Sequence, residues 1–279
     1  MQIEEYHLAG KTGDELSCED AIVVNDRFVA VLDGATSQIA NHEDDLSPGK
    51  KAINRIIEVL ETLPGDIEMR ECFRRLDAAI ADSYNDEGVY DKARENPEYR
   101  SSAAAMIYSR HHSQLWLIGD CQALVDETRI TAWKDTEKLL AEARAMFLES
   151  ELAQGKTIDE LREYDTGRAY IRELLVRQKR FQNQVSTHAY SYFVLDGFLE
   201  EIDSAVEVHN VPTNTRRLIM GSDGYPVLKP TLQETEQVLQ EIIARDPLCF
   251  REHKTTKGVY RGNVSFDDRA YVRVRLDKE

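Results

Sequence analysis

Residues 18–34 read Cys-Glu-Asp-Ala-Ile-Val-Val-Asn-Asp-Arg-Phe-Val-Ala-Val-Leu-Asp-Gly. Two short, Val-rich apolar runs, 21–25 and 28–32, flank the polar turn Asn25-Asp26-Arg27, which is a hairpin signal. Glu19-Asp20 stands just before the first run, and the second runs into Asp33-Gly34. Antiparallel folding about the turn therefore sets Asp33 near Glu19-Asp20.

The same signature recurs downstream. Leu115-Trp116-Leu117-Ile118 runs into Gly119-Asp120, and Leu218-Ile219-Met220 runs into Gly221-Ser222-Asp223-Gly224. Asp267-Asp268 stands just before a final apolar run. A hairpin about His111-His112 places Asp120 near Ser101-Ser102. A last strand antiparallel to the one before Asp223 brings Asp267 to the same edge. Acids at strand ends and strand starts thus converge on one rim. Crowded carboxylates repel one another and lose hydration, a cost that a hard divalent cation removes. Mg²⁺ and Mn²⁺ prefer oxygen ligands.

The remaining pattern is mixed. Residues 47–63 and 67–83 carry helical apolar spacing, with Pro64-Gly65 between them. Strands are expected at 103–108, 115–118 and about 123–126. A helical stretch at 135–181 divides into two helices at Gln154-Gly155-Lys156. Strands resume at 190–195, 205–209 and 217–220, followed by a helix at 231–244 and a strand at 270–276. Runs of strands with helix pairs between them predict an α+β sandwich of antiparallel sheets covered by helices. No linker interrupts the chain, so residues 1–279 are expected to form one domain.

With 35 Lys and Arg against 51 Asp and Glu, the net charge is −16. That argues against nucleic acid and against anionic membrane as partners. No apolar run approaches the roughly 20 residues of a membrane helix, and the N-terminus does not read as a signal peptide. Cys18, Cys72, Cys121 and Cys249 are widely spaced and form no CxxC pair, which suggests reduced thiols in a cytoplasmic protein.

Taken in order, CEDAIVVNDRFVAVLDGAT, SSAAAMIYSRHHSQLWLIGDCQALV, RRLIMGSDGYPVL and SFDDRAYVRV resemble the metal-dependent PP2C-type Ser/Thr protein phosphatases, in their divergent bacterial branch. The resemblance covers roughly residues 1–130 and 185–279. It implies an α-β-β-α sandwich of two antiparallel sheets flanked by helix pairs. It implies two divalent ions, Mn²⁺ or Mg²⁺, with a third in some members, and a metal-bridging water as nucleophile. Asp33 would bridge the metals and the Gly34 carbonyl would bind one. Glu19 would bind the second, directly or through water, with Asp20 supporting the site. Asp223 and Asp267 would bind the first, and Asp120 would help hold the third. Asp33, Asp223 and Asp20 are the candidate catalytic residues. The substrate would be a phosphorylated protein or a small phosphorylated molecule.

The chain departs from the family where phosphate is held. An Arg often stands four residues before the Glu-Asp pair; here the position is Glu15, and Lys11 is the nearest upstream cation and the candidate substrate contact. The His that follows Asp-Gly in eukaryotic members is Ala35, and the Arg of the usual Gly-Asp-Ser-Arg is Gln122. Other candidates are His42 as a proton donor and the basic stretch 177–180 as a substrate contact. The segment 135–182 is a lid, a partner surface or simple core cover. Glu43-Asp44-Asp45 reads as a solvated loop, His111-His112 as an exposed turn, Lys50-Lys51 and Arg74-Arg75 as helix surface, and Cys18 and Cys121 as buried thiols. Besides the protein phosphatase, two alternatives stand: a non-catalytic sensor or binding module, and a phosphatase of a small metabolite.

Overall fold

A computed structural model describes residues 1–35, 46–132, 134–184 and 189–276. His42 and Glu43-Asp44-Asp45 lie outside the described residues. In chain order the strands are β1 (Gln2–Ala9), β2 (Ala21–Val24), β3 (Phe28–Gly34), β4 (Ala103–Ser109), β5 (Gln114–Ile118), β6 (Gln122–Val125), β7 (Thr128–Thr131), β8 (Glu207–Asn210), β9 (Arg217–Gly221) and β10 (Arg269–Arg275). The helices are α1 (Pro48–Leu60), α2 (Met69–Asp86), α3 (Tyr90–Glu95), α4 (Asp135–Ala153), α5 (Ile158–Glu163), α6 (Thr166–Arg177), α7 (Ile202–Ala205) and α8 (Leu232–Arg245).

The strands form two five-stranded sheets, ordered β1-β10-β9-β6-β7 and β2-β3-β4-β5-β8, antiparallel throughout. Val29, Val31, Met106, Leu117, Met220 and Val272 fill the space between the sheets. The opposite side of β3 and β4 packs under α1 and α2 through Phe28, Ala30, Ile53, Ile56 and Phe73. With both faces covered, β3 carries a continuous apolar run rather than an alternating one. On the far side, α8 covers the other sheet through Leu239, against Ile219 and Tyr271. The α4–α6 pair packs through Leu140, Ile171 and Leu175. The arrangement is the α-β-β-α sandwich expected from the sequence. Among the described residues, no helix is long and apolar enough to cross a membrane.

Local chemistry explains the boundaries. Ser47 caps α1 by accepting from Lys50 N at 3.2 Å, and Pro48 occupies the first turn. Gly155, at φ +97°, marks the break after α4. The expected second helix of this segment divides once more. Asp165 is drawn out of helical geometry to cap α6, accepting from Arg168 N at 2.8 Å.

Several elements differ from the sequence expectation: the short helices α3 and α7 were not anticipated, nor were β1 and β7. β1 was not legible because it is an edge strand whose Glu4 and Glu5 face Arg273 across the ladder, at 3.1 and 3.2 Å. β7 is likewise a mostly exposed edge strand. Residues 190–195, expected as a strand, form no ladder. Part of their backbone pairing is with a side chain. Asn183 Nδ2 donates to Val194 O at 2.9 Å, and Val194 N donates to Asn183 Oδ1 at 3.0 Å.

Candidate metal centre

The two sheets deliver their acids to one rim. In the β3–β4 ladder Asp33 lies opposite Ala104, and in the β4–β5 ladder Ile118 lies opposite Ala105. Gly119 follows at φ +86°, with no room for a Cβ against that of Ala104, and turns the chain so that Asp120 reaches the rim. From the other sheet, Asp223 follows the end of β9, and Asp267 precedes the start of β10. One carboxylate oxygen each from Asp33, Asp120 and Asp223 lies within 4.8 Å of the other two. Gly119→Ala is therefore expected to cost about 1–3 kcal/mol through backbone strain and to weaken Mn²⁺ binding. Thermal melting with calorimetric titration checks both effects.

Neighbours hold these turns. Ser222 N donates to Ala270 O at 3.1 Å and Ala270 N donates to Ser222 Oγ at 2.9 Å. Gln122 donates its amide to Ser222 O at 3.2 Å and to Tyr225 O, so it clamps the loop that carries Asp223. Asp267 lines the cleft with Asp33, Asp120 and Asp223. Asp268 turns away and accepts from Lys11 N at 2.7 Å and Glu19 N at 3.0 Å.

The Glu-Asp pair divides its tasks. Asp20 is 2% exposed, and its Oδ2 has no hydrogen-bond partner. Glu19 points its carboxylate at Lys11 Nζ, 3.6 Å away. Lys11 Nζ also lies 3.5 Å from Asp268 Oδ2, and neither Lys11 nor Glu19 lines the cleft. Gly34 and Ala35 do line it.

Carboxylates outnumber cations along the cleft, and burial makes their mutual repulsion costly. Burial, then the carboxylates of Asp223, Asp20, Asp120 and Asp267, push Asp33 well above the ordinary carboxylate range. Burial and then Asp120, Asp267 and Glu137 do the same to Asp223, with Lys257 opposing. Asp20 is raised by burial and by Asp267 and Asp268, against the hydrogen bond from Ser222. Hard oxygen donors with an unpartnered buried carboxylate oxygen fit Mn²⁺ or Mg²⁺.

This has a consequence for stability. Where a folded carboxylate titrates above its unfolded value, the folded chain retains protons that the unfolded chain has released. Stability then falls as pH rises from the ordinary carboxylate range. In chelator, the cluster is expected to make the parent less stable at pH 8 than at pH 5.5, and Asp33→Asn to flatten that dependence. Melting curves of both proteins at both pH values check it; an unchanged slope would contradict the electrostatic picture.

The helical segment 135–182, the residue before it and the loop after α8 supply further groups, most of which the sequence reading did not single out. Glu137, in the first turn of α4, lines the cleft and is raised by burial and by Asp120. Lys134 Nζ lies 2.8 Å from Asp120, and Lys257 Nζ lies 2.5 Å from Asp267. Arg168 and Lys179 also line the cleft. Within the basic stretch 177–180, Arg177 pairs with Glu173 at 2.6 Å and Arg180 with Glu98 at 3.6 Å, both on the surface. Nothing local marks Lys134 or Glu137, since Lys and Glu on helices are the commonest surface residues; Lys179 is the member of the basic stretch 177–180, expected as a substrate contact, that lines the cleft. Lys50 is also not free surface, for its Nζ donates to Cys18 O at 2.8 Å. His112 is half-buried, its Nε2 2.9 Å from Ile67 O.

No family model and no curated protein matches the chain. Several solved structures are similar along its whole length. The catalytic domain of the serine/threonine protein phosphatase PstP in complex with two manganese ions is 15% identical, with 99% of each chain covered and a TM-score of 0.47. Serine/threonine phosphatase Stp1 from Staphylococcus aureus is 15% identical over 99% of this chain and 96% of its own, with a TM-score of 0.46. PppA of Pseudomonas aeruginosa is 15% identical over 98% and 96%, with a TM-score of 0.43. At these values the likeness carries no argument about activity. The chemistry must come from the cluster.

Proposed function

We propose that this chain is a metal-dependent phosphoric monoester hydrolase acting on phosphoserine and phosphothreonine. One observation carries the proposal: Asp33, Asp120 and Asp223, from separate strands of both sheets, bring oxygens within 4.8 Å of one another, beside a buried Asp20 with an unpartnered oxygen. Repulsion this large is maintained only where something compensates it. Asp33, Asp223, Asp120 and Asp267, with the Gly34 carbonyl, would hold Mn²⁺ or Mg²⁺. When bound, such ions supply an acidified water and neutralise charge on the phosphoryl group. Asp20, buried beside the cluster, is suited to orient that water. Ser222 and Gln122 fix the loop that presents Asp223.

A second reading, a binding module without turnover, draws on the ion pairs Lys134–Asp120 and Lys257–Asp267, which neutralise two candidate ligands without metal. Calorimetric titration with Mn²⁺, followed by hydrolysis of p-nitrophenyl phosphate, separates the two. The hydrolase reading expects binding and Mn²⁺-dependent release. Binding without release would favour the module. Absence of both would overturn the metal assignment.

A further inference from the structure

Of the four cations lining the cleft, Lys134 and Lys257 are engaged by Asp120 and Asp267. Arg168 donates to Thr256 O at 2.8 Å and Oγ1 at 3.2 Å. Lys179, like Arg168, has only a neutral hydrogen-bond partner, but it makes a single such bond where Arg168 makes two. Its Nζ donates to the neutral Ser102 Oγ at 2.9 Å, and among the described residues no carboxylate lies within ion-pair distance of it. The N-terminal alternatives do not reach the cleft, since Glu15 is exposed on the surface and Lys11 is held by Asp268 and Glu19.

The surroundings fix Lys179 in place. It lies on the short 3₁₀ turn Gln178–Phe181, and the next two residues are bolted to Asp196. Gln182 Nε2 and Asn183 Nδ2 each donate to its carboxylate at 2.6 Å, and Arg100 Nη1 adds a third bond at 3.0 Å. Asp77 in turn accepts from Asp196 N at 2.9 Å. Leu195 exchanges backbone hydrogen bonds with Ala103, at 2.9 and 3.0 Å, beside Ser102. Ser102 O accepts from Ala35 N at 2.9 Å, two residues beyond Asp33. The amine is thereby anchored to the rim that carries the acids.

We propose that Lys179 holds the phosphoryl dianion of the substrate, taking over the task of the Arg that this chain lacks before its Glu-Asp pair. The proposal rests on the phosphatase reading. A half-buried ammonium with only a neutral partner is incompletely compensated, and a compact point charge is a common phosphate binder.

The test compares the parent, Lys179→Met and a control, Arg74→Gln, on the exposed part of α2, as full-length protein with Mn²⁺. KM and kcat are measured on a phosphoserine peptide, and binding of inorganic phosphate is measured by calorimetry. Lys179→Met is expected to raise KM and the phosphate dissociation constant about thirtyfold, the scale of one charge-assisted hydrogen bond, with melting close to the parent's. Arg74→Gln is expected to match the parent. Parent-like phosphate affinity in Lys179→Met overturns the proposal, as does a lowered melting temperature with affinity intact. If the parent itself hydrolyses nothing, the phosphatase reading fails, and the phosphate titration still decides the role of Lys179.

Discussion

Asp33→Asn is expected to lower Mn²⁺-dependent phosphate release by about a hundredfold to a thousandfold, the scale on which loss of one preorganised electrostatic group reduces turnover. The substitution keeps the shape of the side chain and removes its charge. The backbone beneath is secured independently, because β3 pairs residue by residue with β4 from Phe28 to Gly34. What Asn cannot do is serve as an anionic ligand beside Asp120 and Asp223. In chelator the variant is expected to melt at or above the parent temperature, since a mutually repelling carboxylate is gone. Activity and stability should thus move in opposite directions. Initial rates across a Mn²⁺ series, with melting curves in chelator, check both.

Arg144→Met is expected to destabilise the folded chain by about 3–5 kcal/mol, the cost of leaving a buried charge without its partner. That is a fall in melting temperature of roughly 10 °C. Arg144 is fully buried. It donates from Nε and Nη2 to Asp165 at 3.0 and 2.6 Å. It also donates to the carbonyls of Leu248, Cys249 and Thr255, at 2.8, 3.3 and 3.1 Å. One guanidinium therefore joins α4, the start of α6 and the loop that leads into Lys257. A second substitution, Asp165→Leu, removes the orphaned charge and should recover much of the loss. Chemical denaturation of the two single variants and the double variant measures this coupling.

The acid cluster was legible because strand direction converts sequence position into spatial position. An apolar run ending in Asp-Gly places its acid at a sheet edge, and antiparallel pairing brings several such edges together. The same local signature stands at Leu195-Asp196-Gly197 with a different outcome. There the carboxylate is buried and consumed by Arg100, Gln182 and Asn183, so it serves as scaffold. Which member of Glu19-Asp20 faces the cluster was beyond the motif. The β2–β3 register, with Ala21 opposite Leu32, puts Asp20 level with Asp33. Two of the cations were illegible for another reason. Lys134 and Arg168 lie at and within a helical segment whose periodicity gives its buried face but not where it touches a distant rim, whereas Lys179 was legible as part of the basic stretch 177–180, though not as its one member in the cleft lining. β1 and β7 escaped because edge strands carry polar residues where central strands carry apolar ones.

The central claim is that converging carboxylates make this chain a metal-dependent phosphatase. Phosphate release from a phosphoserine peptide, measured with Mn²⁺ and with chelator, in the parent, Asp33→Asn and Asp223→Asn, tests it most directly. The account predicts release by the parent only with Mn²⁺, and its loss in both variants. Equal release in chelator, or full activity in either variant, would contradict it.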